Sequence, residues 1–199
     1  MIHGKPLLAW TILAALETGL GDVYVSTDDL DICAVACKYG ASVIMRPENI
    51  SGDFDSSEKA ILHSLTRIDD VQDFVCFLQC TSPFITAKDI KFAYEDMILS
   101  NADSLFFAKK SHTYNYTLPK IDVKQRGMRQ GMEQVTEVGA YMFKTEGFLD
   151  CGERMFGHIH AYIIERDLPP EIDNLLDFWI NEQFWGYWRG ELHISPEAL

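Results

Sequence analysis

The sequence lacks the features of a membrane, secreted or zinc-finger protein. In 199 residues, no apolar run approaches the roughly 20 residues that a bilayer-spanning helix needs, and no signal-peptide pattern stands at the start. The five cysteines form no CxxC pair. Cys33 and Cys37 lie four residues apart on a predicted helix, but no His or Cys partners complete a zinc set. We therefore expect reduced thiols in a cytoplasmic protein.

Positive charge is also scarce. The chain has 17 Lys and Arg against 30 Asp and Glu, which gives a formal net charge of −13. This charge disfavours contact with a nucleic-acid backbone, and we expect neither a nucleic acid nor a membrane as partner. A nucleotide monomer stays possible, because local Arg or Lys side chains and a divalent cation reverse the sign inside a cleft.

Apolar residues are abundant, at 47% of the chain, and they alternate between strand and helix patterns. Short strands followed by helices of roughly 10 residues are typical of βαβ units and a parallel sheet. We predict an α/β protein, a three-layer α/β/α sandwich with a mostly parallel, Rossmann-like sheet, in which residues 1–199 form a single domain. The predicted helices lie at 7–18, 30–39, 58–65, 86–99 and 175–187, with a further helix followed by a tight turn within 147–155, and the strands lie at 22–26, 41–45, 74–78, 103–108, 139–143 and 161–165.

The predicted strand at 74–78 is central to the expected site. It is an uninterrupted apolar run, as expected of a central strand covered on both faces. Polar residues follow at once, and Pro83 blocks any continuation of the strand. Because open α/β sheets bind ligands beyond the carboxyl ends of their strands, Gln79, Thr81 and Ser82 lie where a site is expected. The alternative is a capped strand end without a ligand.

Two further strand ends supply polar groups. Ser26-Thr-Asp28 follows one predicted strand and Arg46-Pro47 follows the next, before the polar loop at 53–57. Together with Gln79, this mixture suits a nucleotide, because amides and hydroxyls read a base edge while Arg46 pairs with phosphate. The alternative for Arg46 is a surface ion pair.

Two carboxylates before the last predicted helix form another cluster. Glu171 and Asp173 alternate along an extended segment, so they project to one face, about 7 Å apart. Such a pair suits Mg²⁺, which keeps some waters and bridges to substrate phosphates. The alternative is a solvated helix boundary at which Asp173 or Asn174 caps the final helix.

Residues 109–135 interrupt the alternation of strands and helices. They are polar, contain Pro119, Gly127 and Gly131, and show no clear periodicity. We predict a long excursion or β-arm and not a linker to a second domain. A run of this length without core spacing is usually functional or mobile.

Several short motifs follow one another along most of the chain. They are Gly4-Lys-Pro-Leu-Leu-Ala-Trp-Thr-Ile12, Val25-Ser-Thr-Asp28, Lys38-Tyr-Gly-Ala41, Arg46-Pro47, Asp53 with Ser56-Ser57, Leu78-Gln-x-Thr-Ser-Pro83, Arg129-Gln130, Glu137-x-Gly-Ala140, and Glu171-Ile-Asp173 through Glu182-Gln183. Taken in order, they resemble the motifs of the acylneuraminate cytidylyltransferases, also called CMP-sialic acid synthetases. The specificity of this resemblance comes from the number and order of the motifs.

The resemblance implies a nucleotidyltransferase-type sheet and a specific reaction. The family transfers CMP from CTP to the anomeric hydroxyl of a nine-carbon keto-sugar acid and releases pyrophosphate with Mg²⁺. A homodimer packed through the region 109–135 is also implied. Carried over to this chain, the nucleotide contacts are Asp28, Arg46, Ser57, Gln79 and Ser82; the sugar-acid contacts are Gln79, Arg129 and Gly139; the metal ligands are Glu171 and Asp173; and the catalytic groups are Asp173 and Arg46.

The chain also departs from the family pattern. The family normally begins with a strand and a glycine-rich Arg/Lys loop, whereas Met1 stands where that segment should have ended. Glu171 replaces an Asp, Val138 an Asn, and Met142 an aromatic residue. Two alternatives to the active enzyme therefore stay open: a non-catalytic binding or partner protein that keeps the fold, or a truncated form of an active enzyme.

Overall fold

A computed structural model of the chain describes residues 1–111 and 134–188, without the side chain of Tyr187. All twelve predicted helices and strands are present, and the largest difference in length is at β5. Within this part of the chain, no helix is both long and apolar enough to cross a membrane. The elements are α1 Leu7–Thr18, β1 Tyr24–Thr27, α2 Leu30–Lys38, β2 Ser42–Met45, a short 3-10 helix Glu48–Ile50, α3 Ser57–Leu65, β3 Phe74–Leu78, α4 Ala87–Ser100, β4 Ser104–Ser111, β5 Gln134–Lys144, α5 Thr145–Cys151, β6 Ile159–Ile164 and α6 Leu175–Trp188.

The described strands form two sheets. β1 and β2 pair in parallel, and the other four strands follow the order β3-β5-β4-β6. In the larger sheet β5 runs antiparallel to both β3 and β4, whereas β4 and β6 are parallel. β5 is therefore the one described strand that opposes its neighbours. This reversal was not predicted, because the spacing of apolar residues carries no information on strand direction.

β3 lies at the edge of the four-stranded sheet in the described part of the chain, and not at its centre as expected. Its side chains alternate between two apolar clusters: Phe74 and Leu78 pack on one face of the sheet, and Val75 and Phe77 on the other. Both faces are therefore covered, as predicted from the apolar run. All four side chains are only half-buried, because β5 is the only described strand that pairs with β3.

Helices cover both faces of the larger sheet. α4 contributes Ile90, Ala93 and Met97 to the cluster on one face. α3 and α5 contribute Ile61 and Phe148 to the cluster on the other face. The result is the three-layer α/β/α arrangement predicted from the sequence.

The predicted excursion at 109–135 connects β4 to β5. Its two ends pair with each other, since Ser111 lies opposite Gln134 in the ladder of these strands. Residues 112–133, which include Arg129, lie outside the described residues. The dimerisation arm and the contact of Arg129 with a sugar acid stay predictions.

A largely buried ion pair ties the end of β6 to the segment after β3. Arg166 donates to the two carboxylate oxygens of Asp89 at 2.5 and 2.6 Å, and to the carbonyl of Phe84 at 2.7 Å. Asp89 is buried and also completes a capping box with Thr86 at the start of α4. The segments that follow β3 and β6 are therefore held together by charge-assisted hydrogen bonds.

We predict that Arg166→Met lowers the free energy of unfolding by about 3 kcal/mol, because it leaves the buried carboxylate of Asp89 without its cation. Lys59→Met is the matched control. Lys59 pairs with Asp55 at the surface, so its loss should cost about 0.5 kcal/mol. Urea unfolding of both variants measures the difference, and equal losses would contradict the structural role of Arg166.

Candidate active site

Four of the predicted site residues meet at the carboxyl end of β3. The backbone N–H of Gln79 donates to the carbonyl of Gly139 at 2.7 Å. The Oε1 atom of Glu171 accepts hydrogen bonds from the hydroxyl of Ser82, at 2.8 Å, and from the backbone N–H of Gly139. The hydroxyl of Ser82 also lies 3.2 Å from that N–H. The loops after β3 and β6 therefore converge with β5 on one polar group.

Gly139 is required by the close approach of its neighbours. A Cβ atom at this position would lie 2.9 Å from the side chain of Gln79 and 2.9 Å from the Oε1 atom of Glu171. Any larger residue would therefore displace one of these two side chains. The requirement is steric and specific to the site.

Side chains from β4 and α6 hold the segment that carries Glu171. Lys109 Nζ donates to the carbonyls of residues 168 and 169, at 3.2 and 3.1 Å, and Asn181 Nδ2 donates to the carbonyl of residue 170 at 2.9 Å. Because residues 169 and 170 are prolines without an N–H, they cannot donate to a strand ladder. Side-chain donors therefore fix this segment.

Lys109 is a basic residue of the site that was not predicted from the sequence. Burial lowers the pKa of its ammonium group, and the negative charge of Glu171 opposes that shift. The two groups therefore lie within electrostatic reach of each other. The only sequence signal was a lysine next to an otherwise apolar strand, which is too common to mark a site.

Asp173 lies two residues beyond Glu171 and is exposed. Its backbone N–H donates to Asp177 at 3.1 Å, and its carboxylate makes no hydrogen bond or ion pair within residues 1–111 and 134–188. Asn174 caps α6, because its Oδ1 atom accepts from the N–H groups of residues 176 and 177. The cap predicted for Asp173 or Asn174 is therefore Asn174, which leaves the carboxylate of Asp173 available.

Glu171 and Asp173 are the pair predicted to bind a metal. The described residues contain no group of three His, Cys, Asp or Glu side chains arranged to hold a metal ion. One oxygen of Glu171 already accepts two hydrogen bonds, so its other oxygen and the carboxylate of Asp173 remain as candidate metal ligands. This set of oxygen ligands fits Mg²⁺, which takes one or two protein carboxylates and completes its coordination shell with waters and phosphates.

Arg46 and Asp28 form a second polar group at the ends of β1 and β2. Arg46 donates to the carboxylate of Asp28 at 2.8 Å and to the hydroxyl of Ser51 at 3.1 Å. A hydrogen bond from Lys59 holds the pKa of the nearby Asp55 carboxyl below its ordinary value, and the charge of Arg46 contributes. Among the described residues, no hydrogen bond or ion pair joins this group to Gln79 or Glu171.

α3 is linked to β5, near the first polar group, by an ion pair and a cation–π contact. It begins at Ser57, the predicted nucleotide contact, and its next residue, Glu58, lies 3.2 Å from the Nε atom of Arg154. The guanidinium of Arg154 lies 4.4 Å from the ring centre of Tyr141, which is two residues beyond Gly139 on β5. Neither Arg154 nor Tyr141 was predicted, because neither belongs to a motif.

The chain is similar in sequence to cytidylyltransferases. The sequence profile of the cytidylyltransferase family matches residues 1–168. A pseudaminic acid cytidylyltransferase from Campylobacter jejuni is 28% identical over 191 residues, which cover 87% of this chain and 82% of that protein. An N-acylneuraminate cytidylyltransferase from Escherichia coli is 44% identical over 192 residues, which cover 89% of this chain and 45% of that protein. The chain therefore spans less than half the length of the second relative.

Solved structures of distant sequence share the fold. A CMP:2-keto-3-deoxy-manno-octonic acid synthetase in complex with CTP matches with a TM-score of 0.73 at 14% identity, covering 96% of this chain and 91% of that one. A 4-diphosphocytidyl-2C-methyl-D-erythritol synthase from Anaerococcus prevotii matches with a TM-score of 0.67 at 13% identity, covering 93% and 91%. These matches confirm the predicted nucleotidyltransferase-type α/β fold.

We predict that Gly139→Ala lowers the free energy of unfolding by about 1–3 kcal/mol, because the added methyl group overlaps Gln79 and Glu171. Gly21→Ala is the matched control, since a Cβ atom there meets no atom within 4 Å. The free energy of unfolding of Gly21→Ala should be within about 0.5 kcal/mol of the wild-type value. Urea unfolding measures both variants, and wild-type stability of Gly139→Ala would show that the four-residue contact is not tight.

Proposed function

Because the chain belongs to the cytidylyltransferase family, we propose that it transfers CMP from CTP to a nine-carbon, sialic-acid-like keto-sugar acid and releases pyrophosphate. The observation that carries this proposal is the meeting of Gln79, Ser82, Gly139 and Glu171 beyond the carboxyl end of β3. Relatives named for pseudaminic acid and for N-acylneuraminic acid support an acidic sugar as the acceptor. The proposal includes a homodimer packed through residues 109–135 and a cytoplasmic location.

The nucleotide is bound by the strand ends. The amide of Gln79 has both a donor and an acceptor for the edge of the base, and the hydroxyls of Ser82 and Ser57 are the further proposed contacts. Arg46 is half-buried beside the more exposed Asp28. A phosphate oxygen can replace Asp28 as its partner, because guanidinium groups bind phosphate through paired hydrogen bonds.

Glu171 and Asp173 would hold Mg²⁺ through the remaining oxygen of Glu171 and the carboxylate of Asp173. When bound, the ion offsets phosphate charge and orients the sugar hydroxyl. Other residues of the chain fix the position of Glu171. Ser82 and the N–H of Gly139 hold one oxygen of Glu171, and Lys109 and Asn181 hold the backbone that precedes it.

The reaction is an in-line displacement at the α-phosphorus of CTP. The sugar hydroxyl oxygen forms a bond to this phosphorus and loses its proton to water. The bond from the phosphorus to the bridging oxygen breaks, and pyrophosphate leaves with the electron pair. Arg46 stabilises the charge that develops on the phosphates.

A pyrophosphate-release assay tests the proposal. The chain is incubated with CTP, Mg²⁺ and, in turn, N-acetylneuraminic, pseudaminic, diacetyllegionaminic or 2-keto-3-deoxy-manno-octonic acid. We expect release with at least one of the nine-carbon acids. No release with any acid, together with CTP binding by calorimetry, would replace the enzyme with a non-catalytic nucleotide-binding protein. If the chain neither releases pyrophosphate nor binds CTP, both the enzyme and the nucleotide-binding protein are rejected.

We predict that Asp173→Asn lowers turnover by roughly 10²–10³-fold, because it removes one of two carboxylates offered to the metal. The fold should be unaffected, since this carboxylate is exposed and makes no described contact. Asp69→Asn, at another exposed position, is the matched control. Titration with Mn²⁺ followed by electron paramagnetic resonance reports metal affinity apart from turnover. Wild-type turnover and Mn²⁺ affinity in Asp173→Asn would reject the assignment.

A further inference from the structure

Arg154 has an unpaired donor close to the candidate active site. Its Nε atom lies 3.2 Å from the carboxylate of Glu58, and its guanidinium lies over the rings of Tyr141 and Phe77, at 4.4 and 5.6 Å from their centres. Its Nη1 atom is buried and has no hydrogen-bond partner in the described part of the chain. Because a buried guanidinium N–H without an acceptor is costly, a ligand oxygen is expected at this nitrogen.

Arg154 packs on the sheet face that carries Gln79 and Gly139. Tyr141, on which it stacks, lies opposite Phe77 in the ladder between β5 and β3. Gln79 lies two residues after Phe77, Gly139 lies two residues before Tyr141, and a backbone hydrogen bond joins the two. Alternate residues of a strand point to the same face about 7 Å apart, so the guanidinium lies one row of side chains from the four-residue contact.

The amino end of α3 provides a second group that attracts anions. The helix has nine residues, and Ser56 at its N-cap makes no side-chain hydrogen bond to the first turn. The first N–H groups of a helix have no partner within the helix, and the helix dipole favours negative charge there. Arg154 pairs with Glu58, which is itself in this first turn, so the guanidinium lies beside the helix end.

We propose that Arg154, beside the amino end of α3, binds the carboxylate of the sugar acid and thereby selects acidic acceptors. This inference rests on the proposed transfer of CMP to such an acid. Arg154 would be a specificity-determining residue in addition to Arg129, or in its place. A planar guanidinium suits a carboxylate, because its N–H groups match the two oxygens.

A carboxylate is favoured over a nucleotide phosphate by the surrounding charges. Burial raises the pKa of Tyr141 to about 12, and the charges of Glu137 and Glu171 add to the rise, so both carboxylates lie near its hydroxyl. Glu58 adds a third negative charge next to Arg154. A triphosphate, with several charges, is repelled by these groups more strongly than a single carboxylate is.

Steady-state kinetics with the acid and CTP varied separately provide the first test. Arg154→Met should raise the KM for the acid about 10–100-fold and change the KM for CTP less than about twofold, since a charge-assisted hydrogen bond is lost. Arg154→Lys keeps the positive charge but lacks the planar guanidinium group. Its KM for the acid should therefore lie between the values of the wild type and Arg154→Met. Glu58→Gln breaks the same ion pair but keeps the guanidinium, so its KM for the acid should equal or fall below the wild-type value.

Four outcomes would overturn the inference. Arg154→Met could leave both KM values unchanged, or raise only the KM for CTP, which would place a phosphate at this residue. Glu58→Gln could raise the KM for the acid as much as Arg154→Met does, which would indicate a purely structural ion pair. Finally, the KM for the acid could rise in Arg129→Met and not in Arg154→Met. Thermal unfolding checks each variant, and Arg154→Lys stands in for Arg154→Met if that variant does not fold.

Calorimetry separates this inference from the proposed reaction. The full chain, loaded with CTP, is titrated with N-acetylneuraminic acid, with pseudaminic acid, and with the methyl ester of each, in which the carboxylate charge is removed. The wild type should bind one acid at least about tenfold more tightly than its ester, and Arg154→Met should lose that preference. If the wild type binds the acid but releases no pyrophosphate, the proposed reaction fails while this comparison still decides the role of Arg154. No preference for either acid in the wild type would overturn the inference.

Discussion

The geometry of the candidate site depends on the carboxylate of Glu171. One of its oxygens accepts hydrogen bonds from Ser82 and from the backbone N–H of Gly139, which lie 89 and 32 residues away in the sequence. This oxygen therefore joins the loop after β6, the loop after β3 and the strand β5. Because Gly139 is buried, loss of the acceptor would leave its N–H unsatisfied. Glu171 thus has a structural role as well as the proposed metal-binding one.

Polar side chains of the neighbouring strands and helices keep this contact in place. Arg166 and Asp89 tie the end of β6 to the start of α4, and Lys109 and Asn181 hold the carbonyls of residues 168–170. Regular secondary structure could not do this here, since consecutive prolines remove the donors of a strand ladder. The site is therefore positioned by long-range hydrogen bonds in a segment without helix or strand.

The local distribution of charge differs from the acidic average of the chain. Despite a net charge of −13, three basic side chains assigned to the candidate site each lie near a carboxylate: Lys109 near Glu171, Arg154 beside Glu58 and Arg46 beside Asp28. An anionic substrate must compete with these carboxylates for their cations. In the proposed reaction, phosphates replace the more exposed Asp28 as the partner of Arg46. The guanidinium of Arg154 has a buried Nη1 atom and lies among several carboxylates, which in its proposed role suits a group with a single charge.

The sequence by itself determined the elements and part of the site. The boundaries of α1 and β3 agree with prediction residue for residue, because hydrophobic spacing is a local property. Gln79 and Ser82 were identified because polar residues after a buried strand lie where α/β sheets bind ligands. Only the tertiary structure decided that β5 lies between β3 and β4, which puts Gly139 beside Gln79, and that Arg154 meets Glu58 and Tyr141. Strand order and contacts between distant residues depend on the path of the whole chain, and no local pattern encodes them.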